Sequence, residues 1–258
     1  MKLVLTLLLT GCLSGYAQEY NSGQSYAQYA RSLRNENRNT GWKLNIVSTV
    51  FWIGESAGQN NPVHNYDSSW DTKWMENYGG TDSPNNRTGY LPAFKPNQNP
   101  FYIALPYNDL QKGGTKNEAQ YVIPWFNKDF TKSGKSVCKG KWIAIRKNNR
   151  VCYAQWEDVG PFRTDHWQYV FGNERPSPNI NKGAGIDLSP AVQKYLGANS
   201  MDAVDWRFVN KEEVPAGPWV QYGENNDFVQ DAKAILGILT ASTEESKAKN
   251  ATPAKPRK

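Results

Sequence analysis

The stretch WEDVGPFRTDHWQYVFGNERPSPNINKGAGIDLSPAVQKYLG, Trp156 to Gly197, decides how the chain reads. It holds three aspartates, Asp158, Asp165 and Asp187, and one of the chain's two histidines, His166. Gly160-Pro161 is a strong turn signal, so Asp158 stands where a strand ends and the backbone reverses. At the far end Ser189 has the chemistry of an N-cap, Pro190 suits the first helical position, and Gly197 suits the position just past a short helix. Asp187 therefore sits on a strand, Gly185-Ile186-Asp187-Leu188, just ahead of a helix N-terminus. Carboxyls held at the ends of elements beside aromatic rings are what acid chemistry on a sugar requires.

Outward from this stretch the chain is mostly short strands. Trp142 to Arg146 and Arg150 to Trp156 form a hairpin through Asn148-Asn149, a pair that tolerates positive φ. That turn sets Ile145 opposite Cys152. Asp205 to Val209 alternates as a last strand, Phe101 to Leu105 is a strand ended by Pro106, and Ser48 to Glu55 is β-branched and aromatic enough for the first one. Tyr121 to Phe126, broken by Pro124, reads as an edge strand or loop anchor. Residues 55–100 are dense in Asn, Gly, Pro and Ser with Trp70, Trp74 and Tyr78 embedded, and form a long aromatic-rich insertion. Trp70 and Trp74 lie four apart, as on the packed face of a short helix over 68–78, or as a sugar platform. Residues 215–222 are turn-rich and present Trp219. A helix with apolar Phe228, Ala232, Ile235 and Leu239 is expected to pack on the barrel over 223–240, ahead of a disordered basic tail at 241–258.

Asp158-Val159-Gly160-Pro161-Phe162, followed by Gly185-Ile186-Asp187-Leu188-Ser189, resembles the Asp-Arg-Gly-Pro-Phe and Ile-Asp-Leu-Ser signature of rare-lipoprotein-A-like domains. Ala104-Leu105-Pro106-Tyr107 and the hairpin Trp142 to Trp156 resemble two further family segments in the same order. Val159 stands where the family has arginine, and the family's Ala-Ala-His is missing around Ile103-Ala104. The resemblance covers roughly residues 47–209 and implies an all-β fold, a six-stranded double-psi β-barrel related to expansins and to lytic-transglycosylase barrels. The expected organisation is a loose lead-in at 18–41, the barrel over 42–222 with its insertion, and the helix and tail beyond. The implied substrate is a cell-wall polysaccharide, peptidoglycan or another β-linked glycan, taken by a monomer without a cofactor.

The composition is consistent with that expectation. Mean hydropathy is −0.73, yet the chain carries 10 Trp and 14 Tyr. Of the formal charge of +6, half lies in the tail, where Lys247, Lys249, Lys255, Arg257 and Lys258 face only Glu244 and Glu245. The body lacks the concentrated basic face that nucleic acid requires. Lys2 followed by Leu3 to Leu9 reads as an export signal over 1–17. Two processing routes stay open: Leu9-Thr10-Gly11-Cys12 resembles a lipobox that would lipidate Cys12, and cleavage after Ala17 would release a soluble protein. Either route implies the cell envelope, the periplasm or the outside. Cys138 and Cys152 then remain as a pair for an oxidising compartment, bonded only if the chain before Trp142 folds back. Cysteine and histidine spacing offers no metal motif.

Asp158 is the leading acid, because burial between Trp156 and Phe162 would raise its pKa. Asp187 is balanced between acid chemistry and support of its helix. Asp165 resembles, more loosely, a second barrel aspartate, and Glu55, after Gly54 at a strand end, is the other carboxylate. Trp156, Phe162, His166, Trp167, Tyr107 and Trp52 are the expected glycan contacts. Two readings follow: a glycan-cleaving enzyme of the lytic transglycosylase or hydrolase type, and a non-catalytic, expansin-like module that binds glycan or loosens wall.

Overall fold

The computed structural model describes residues 41–58 and 61–250. The strands, in chain order, are β1 (Lys43–Val50), β2 (Arg87–Thr88), β3 (Leu91–Pro92), β4 (Tyr102–Leu105), β5 (Leu110–Gln111), β6 (Gly114–Thr115), β7 (Lys141–Lys147), β8 (Arg150–Val159), β9 (Ile186–Leu188) and β10 (Ala203–Phe208). Six of them close into one barrel in the order β1-β10-β7-β8-β4-β9. The pairs β1–β9 and β4–β8 are parallel, and the other barrel pairs are antiparallel. The all-β, closed six-stranded barrel expected from the sequence is thus present. Closure leaves its strands without free edges.

Directly paired residues share a face of the sheet. The pairings Trp206 with Ile145, Ile145 with Cys152, Ile143 with Ala154, Ile103 with Trp156 and Ile103 with Leu188 therefore put one set of side chains on one face. All of these residues are fully buried, and they fill the barrel. Ile145 stands opposite Cys152, as the Asn148-Asn149 turn requires, and Asn148 takes a φ of 51° there. Cys138 lies three residues before Lys141, which pairs with Trp156 at the other end of the hairpin. Four residues of extended β8 separate that end from Cys152, about 13 Å. The fold-back on which a bond between the two depends is not present, and Cys138 and Cys152 are buried and not joined by a disulfide.

The chain divides into two compact units. Residues 42–108, 138–165 and 176–250 hold the barrel; residues 109–137 and 166–175 form the other. The barrel domain expected over 42–222 thus spans both units. Within it, buried Asp109 accepts bonds from Ser136 Oγ and the Val137 N–H, both at 2.7 Å. The segment around Pro124 is not a strand but two helical turns, Ala119–Val122 and Phe126–Asp129, because proline breaks the pattern between them.

In the barrel unit the first strand runs earlier than expected. It ends at Val50, and Phe51 and Ile53 leave the sheet to join Trp74, Tyr78, Tyr102 and Ala104 in a second apolar cluster on the outer face of β4. The helix over Trp74–Tyr78 supplies two of these residues. Trp70 stays outside the helix and meets Trp156 edge-on at 5.4 Å. Tyr102 fixes the insertion to the barrel: its hydroxyl donates to Asp82 Oδ2 at 2.8 Å and accepts from the Ile53 N–H at 3.0 Å. Asp82 is also paired with Arg87, and both side chains are buried.

The short helix Pro190–Leu196 has the ends read from sequence, with Ser189 accepting from the Val192 N–H and Gly197 left-handed. Trp219 is not presented but buried against Phe101 at 6.0 Å, with its Nε1 donating to the Pro215 carbonyl. The last helix runs Asp227–Asn250 and takes in the start of the expected disordered tail. Its first turn packs where Phe228 meets Trp142 at 5.6 Å, and the next is tied by the ion pairs Lys211–Asp231 and Lys233–Glu224. Ile235, Leu236, Ile238 and Leu239 are 58–70% exposed rather than packed on the barrel.

Candidate functional site

Four residues line up across four neighbouring strands. Asp158 on β8 pairs with Ala104 on β4, Ala104 pairs with Asp187 on β9, and Asp187 pairs with Thr49 on β1. Residues paired in this way point to the same side of the sheet, so both aspartates stand on one face with a methyl group between them. Their α carbons are two strand spacings apart, roughly 10 Å. Gly160 leaves room beside the Asp187 carboxyl: a Cβ built there would lie 3.1 Å from Asp187 Oδ2 and 3.8 Å from the Ala104 methyl. The Asp187 carboxyl therefore leans over Ala104 toward the end of β8. Glycine is needed at 160 for that close approach, not for its dihedral angles.

The face opens into a cavity of about 570 Å³, whose walls include Glu55, His64, Asp158, Phe162, Arg163 and Asp187. Three carboxyls foreseen from sequence thus share one space. Burial pushes Asp158 up to about 6, against a hydrogen bond from the Ser69 N–H to Oδ1 at 2.8 Å. Burial pushes Asp187 up to about 7; the Thr49 hydroxyl, bonded to Oδ1, opposes this, while the charges of Asp158 and Glu55 add to it. Burial also raises Glu55, offset in part by bonds from Trp52, Asn65 and Asn61. Its Oε2 accepts from Asn65 Nδ2 at 2.9 Å. Burial thus disfavours the charged form of both carboxyls, and at Asp187 the charges of Asp158 and Glu55 add to the effect.

The rim is apolar. Phe162 is 46% exposed and sits at a φ of 60°, a conformation that costs a bulky residue energy and concentrates at functional sites. Val63, 65% exposed, lies on the same wall. His64 stacks on Tyr66 with ring centroids 4.5 Å apart.

Other expected residues lie elsewhere. Asp165 is on the surface, its side chain 60% exposed and paired with Arg163 at 3.0 Å, and it does not line the cavity. Trp156 is wholly buried in the barrel and donates its Nε1 to the Asp158 carbonyl at 2.7 Å, so it supports the strand rather than a ligand. Tyr107 is buried and Trp52 half-buried, neither on the cavity wall. His166 and Trp167 belong to the second unit, where His166 Nε2 lies 3.1 Å from Glu174 Oε2. Cys12 falls outside the described residues.

Sequence reasoning missed Thr49, Ser69, Asn65 and His64. Thr49 was findable only through the parallel register of β1 with β9, and Ser69 acts through its backbone. Among the described residues no group of His, Cys, Asp and Glu has the arrangement to hold a metal ion. No helix among them is long and apolar enough to cross a membrane.

No family model matches the chain, and no curated protein matches it. Among solved structures, Streptomyces papain inhibitor (SPI) is similar at 15% identity, over 48% of this chain and 86% of that one, with a TM-score of 0.21.

Proposed function

We propose that this chain is an exported protein acting on cell-wall glycan, a lytic-transglycosylase-like enzyme that uses its paired aspartates as general acid and base. The observation that carries the reading is the row Asp158, Ala104, Asp187: two carboxyls, one titrating near 7 and the other near 6, on one wall of an open cavity. Asp187, the weaker acid, holds the proton. It gives that proton to the glycosidic oxygen as the bond to the anomeric carbon breaks. Ionised Asp158 accepts the proton of the sugar's own hydroxyl as that oxygen closes on the anomeric carbon. No water is consumed, and the product ends in an anhydro sugar. The double-psi arrangement, the likeness to rare-lipoprotein-A domains, the export signal and the envelope location are parts of the same proposal, supported by the sequence motifs above.

The exposed Phe162 and Val63 on the rim favour one second reading, a non-catalytic module that holds glycan by stacking. Product analysis separates the two. Purified peptidoglycan strands and other β-linked glycans are incubated with the protein and the ends identified by mass spectrometry. Anhydro ends, lost in folded Asp158→Asn and Asp187→Asn variants, support the enzyme. Cleavage retained in either folded variant removes the proposed mechanism, new reducing ends indicate a hydrolase, and binding without new ends indicates the module.

A further inference from the structure

Next to Asp158 in the chain is a carboxyl that the reaction above does not use. The register between β4 and β8 runs from Ile103 with Trp156 directly to Ala104 with Asp158, so Glu157 is the extra residue of a β-bulge. Bulges of this kind re-aim the side chain that follows. Here the bulge turns Asp158 out to the cavity while Trp156, two residues earlier, stays inside the barrel. Glu157 itself has a side chain only 2% exposed and lies off the cavity wall. Its Oε2 has no hydrogen-bond partner, but Lys139 Nζ stands 3.9 Å away.

The same ammonium lies 3.8 Å from Asp71 Oδ2. Asp71 is held by Asn77 Nδ2 at 2.8 Å and Gln98 Nε2 at 3.2 Å. Its backbone exchanges N–H···O bonds with Ser68, at 2.9 and 3.3 Å. Between them sits Ser69, whose N–H reaches Asp158 Oδ1 at 2.8 Å. The bulge that aims Asp158 and the turn that holds it therefore meet on one cation. Lys139 is 30% exposed, and Glu157 and Asp71 are far more enclosed, at 2% and 11%. An ion group this buried is costly to desolvate and is a weak device for stability alone.

We propose that Lys139 is a positioning residue that, through Glu157 and Asp71, keeps Asp158 aimed into the cavity and favours its ionised form. This rests on the acid–base reading of the two aspartates, but it concerns their charge rather than turnover. The charges acting on Asp158 include Lys139, and Asp158 and Glu55 act on Asp187; Lys139 acts on Asp71, Glu157 and Asp158; Glu157 also feels Asp71 and Asp227. Burial raises Glu157 to about 7, and Lys139 opposes that rise.

The two partners of the bridge should move Asp158 in opposite directions. In Lys139→Met the favourable charge is gone, and the Asp158 titration midpoint rises by about half to one pH unit. In Glu157→Gln the lysine is less neutralised, and the midpoint falls. Lys139→Arg keeps it near the parent value. Carboxyl-resolved NMR titration of the full chain, following Asp158 and Asp187, reads all three. A packing role alone does not give opposite signs. The proposal is overturned if Asp158 is unmoved in folded Lys139→Met, or shifts the same way in both variants. Should Lys139→Met not fold, Glu157→Gln decides: a lower midpoint supports the proposal and an unchanged one ends it. Midpoints that move as stated in a protein that cleaves no glycan would sink the reaction and leave the positioning role standing.

Discussion

Removing the Asp187 carboxylate should make the protein more stable in mild alkali while it abolishes any acid catalysis. The carboxyl sits at about 7 instead of 3.8 because burial and its acidic neighbours disfavour its charge. A carboxyl raised on folding binds its proton more tightly in the folded state. Its favourable contribution is complete below about 4, falls as the pH climbs through 7, and is absent above that. At pH 8 the ionised group therefore strains the fold. Each tenfold change in acidity is worth about 1.4 kcal/mol, so the shift sets a ceiling of about 4 kcal/mol. Asp187 is half-buried and borders an open cavity, and partial hydration brings the expected figure to about 2 kcal/mol. Asn at this position has no charge and can still accept the Thr49 hydroxyl bond. Urea denaturation of parent and Asp187→Asn at pH 8 should show the variant ahead by about 2 kcal/mol, or about 4–8 °C in Tm. At pH 4 the advantage should vanish. An Asp187→Asn variant no more stable than the parent at pH 8, or one whose gain is equal at both pH values, would falsify the account of why this carboxyl holds a proton.

Three further outcomes follow from the same geometry. Gly160→Ala puts a methyl 3.1 Å from Asp187 Oδ2, so it should lower glycan cleavage at least tenfold while costing about 1 kcal/mol in stability; full activity in that variant would mean the leaning carboxyl is not the acid. Phe162→Ala should weaken glycan binding several-fold, as loss of one stacked ring does, and leave the melting temperature within a few degrees; calorimetric titration with oligosaccharides checks it, and unchanged binding would take the rim out of the site. Thiol counting on unreduced protein unfolded in guanidinium should find Cys138 and Cys152 both reactive, since no disulfide joins them; finding both blocked would show the strand geometry at the base of the hairpin to be wrong.

The sequence was most readable where chemistry is local. Ser189, Pro190 and Gly197 fixed both ends of their helix because capping depends on those three residue types alone. The Asn148-Asn149 turn fixed the register of β7 on β8 for the same reason. Asp158 and Asp187 could be picked out, but not the methyl between them, since Ala104 joins the row only through a parallel pairing with β8 and an antiparallel one with β9. Tyr121 to Phe126, read as an edge strand or loop anchor, misled because a proline-broken apolar run looks alike there and in two helical turns. Trp156 and Trp219 misled because a tryptophan in a loop or at a strand end reads the same whether its ring meets a ligand or closes a core.

The Tyr102 anchor bears on how the site would work in time. One phenol reaches Asp82 and the Ile53 N–H from the strand that carries Ala104, so the segment donating to Asp158 is bolted to the barrel rather than hinged over it. On the reaction proposed above, a polymer would meet a furrow whose donors are already in place.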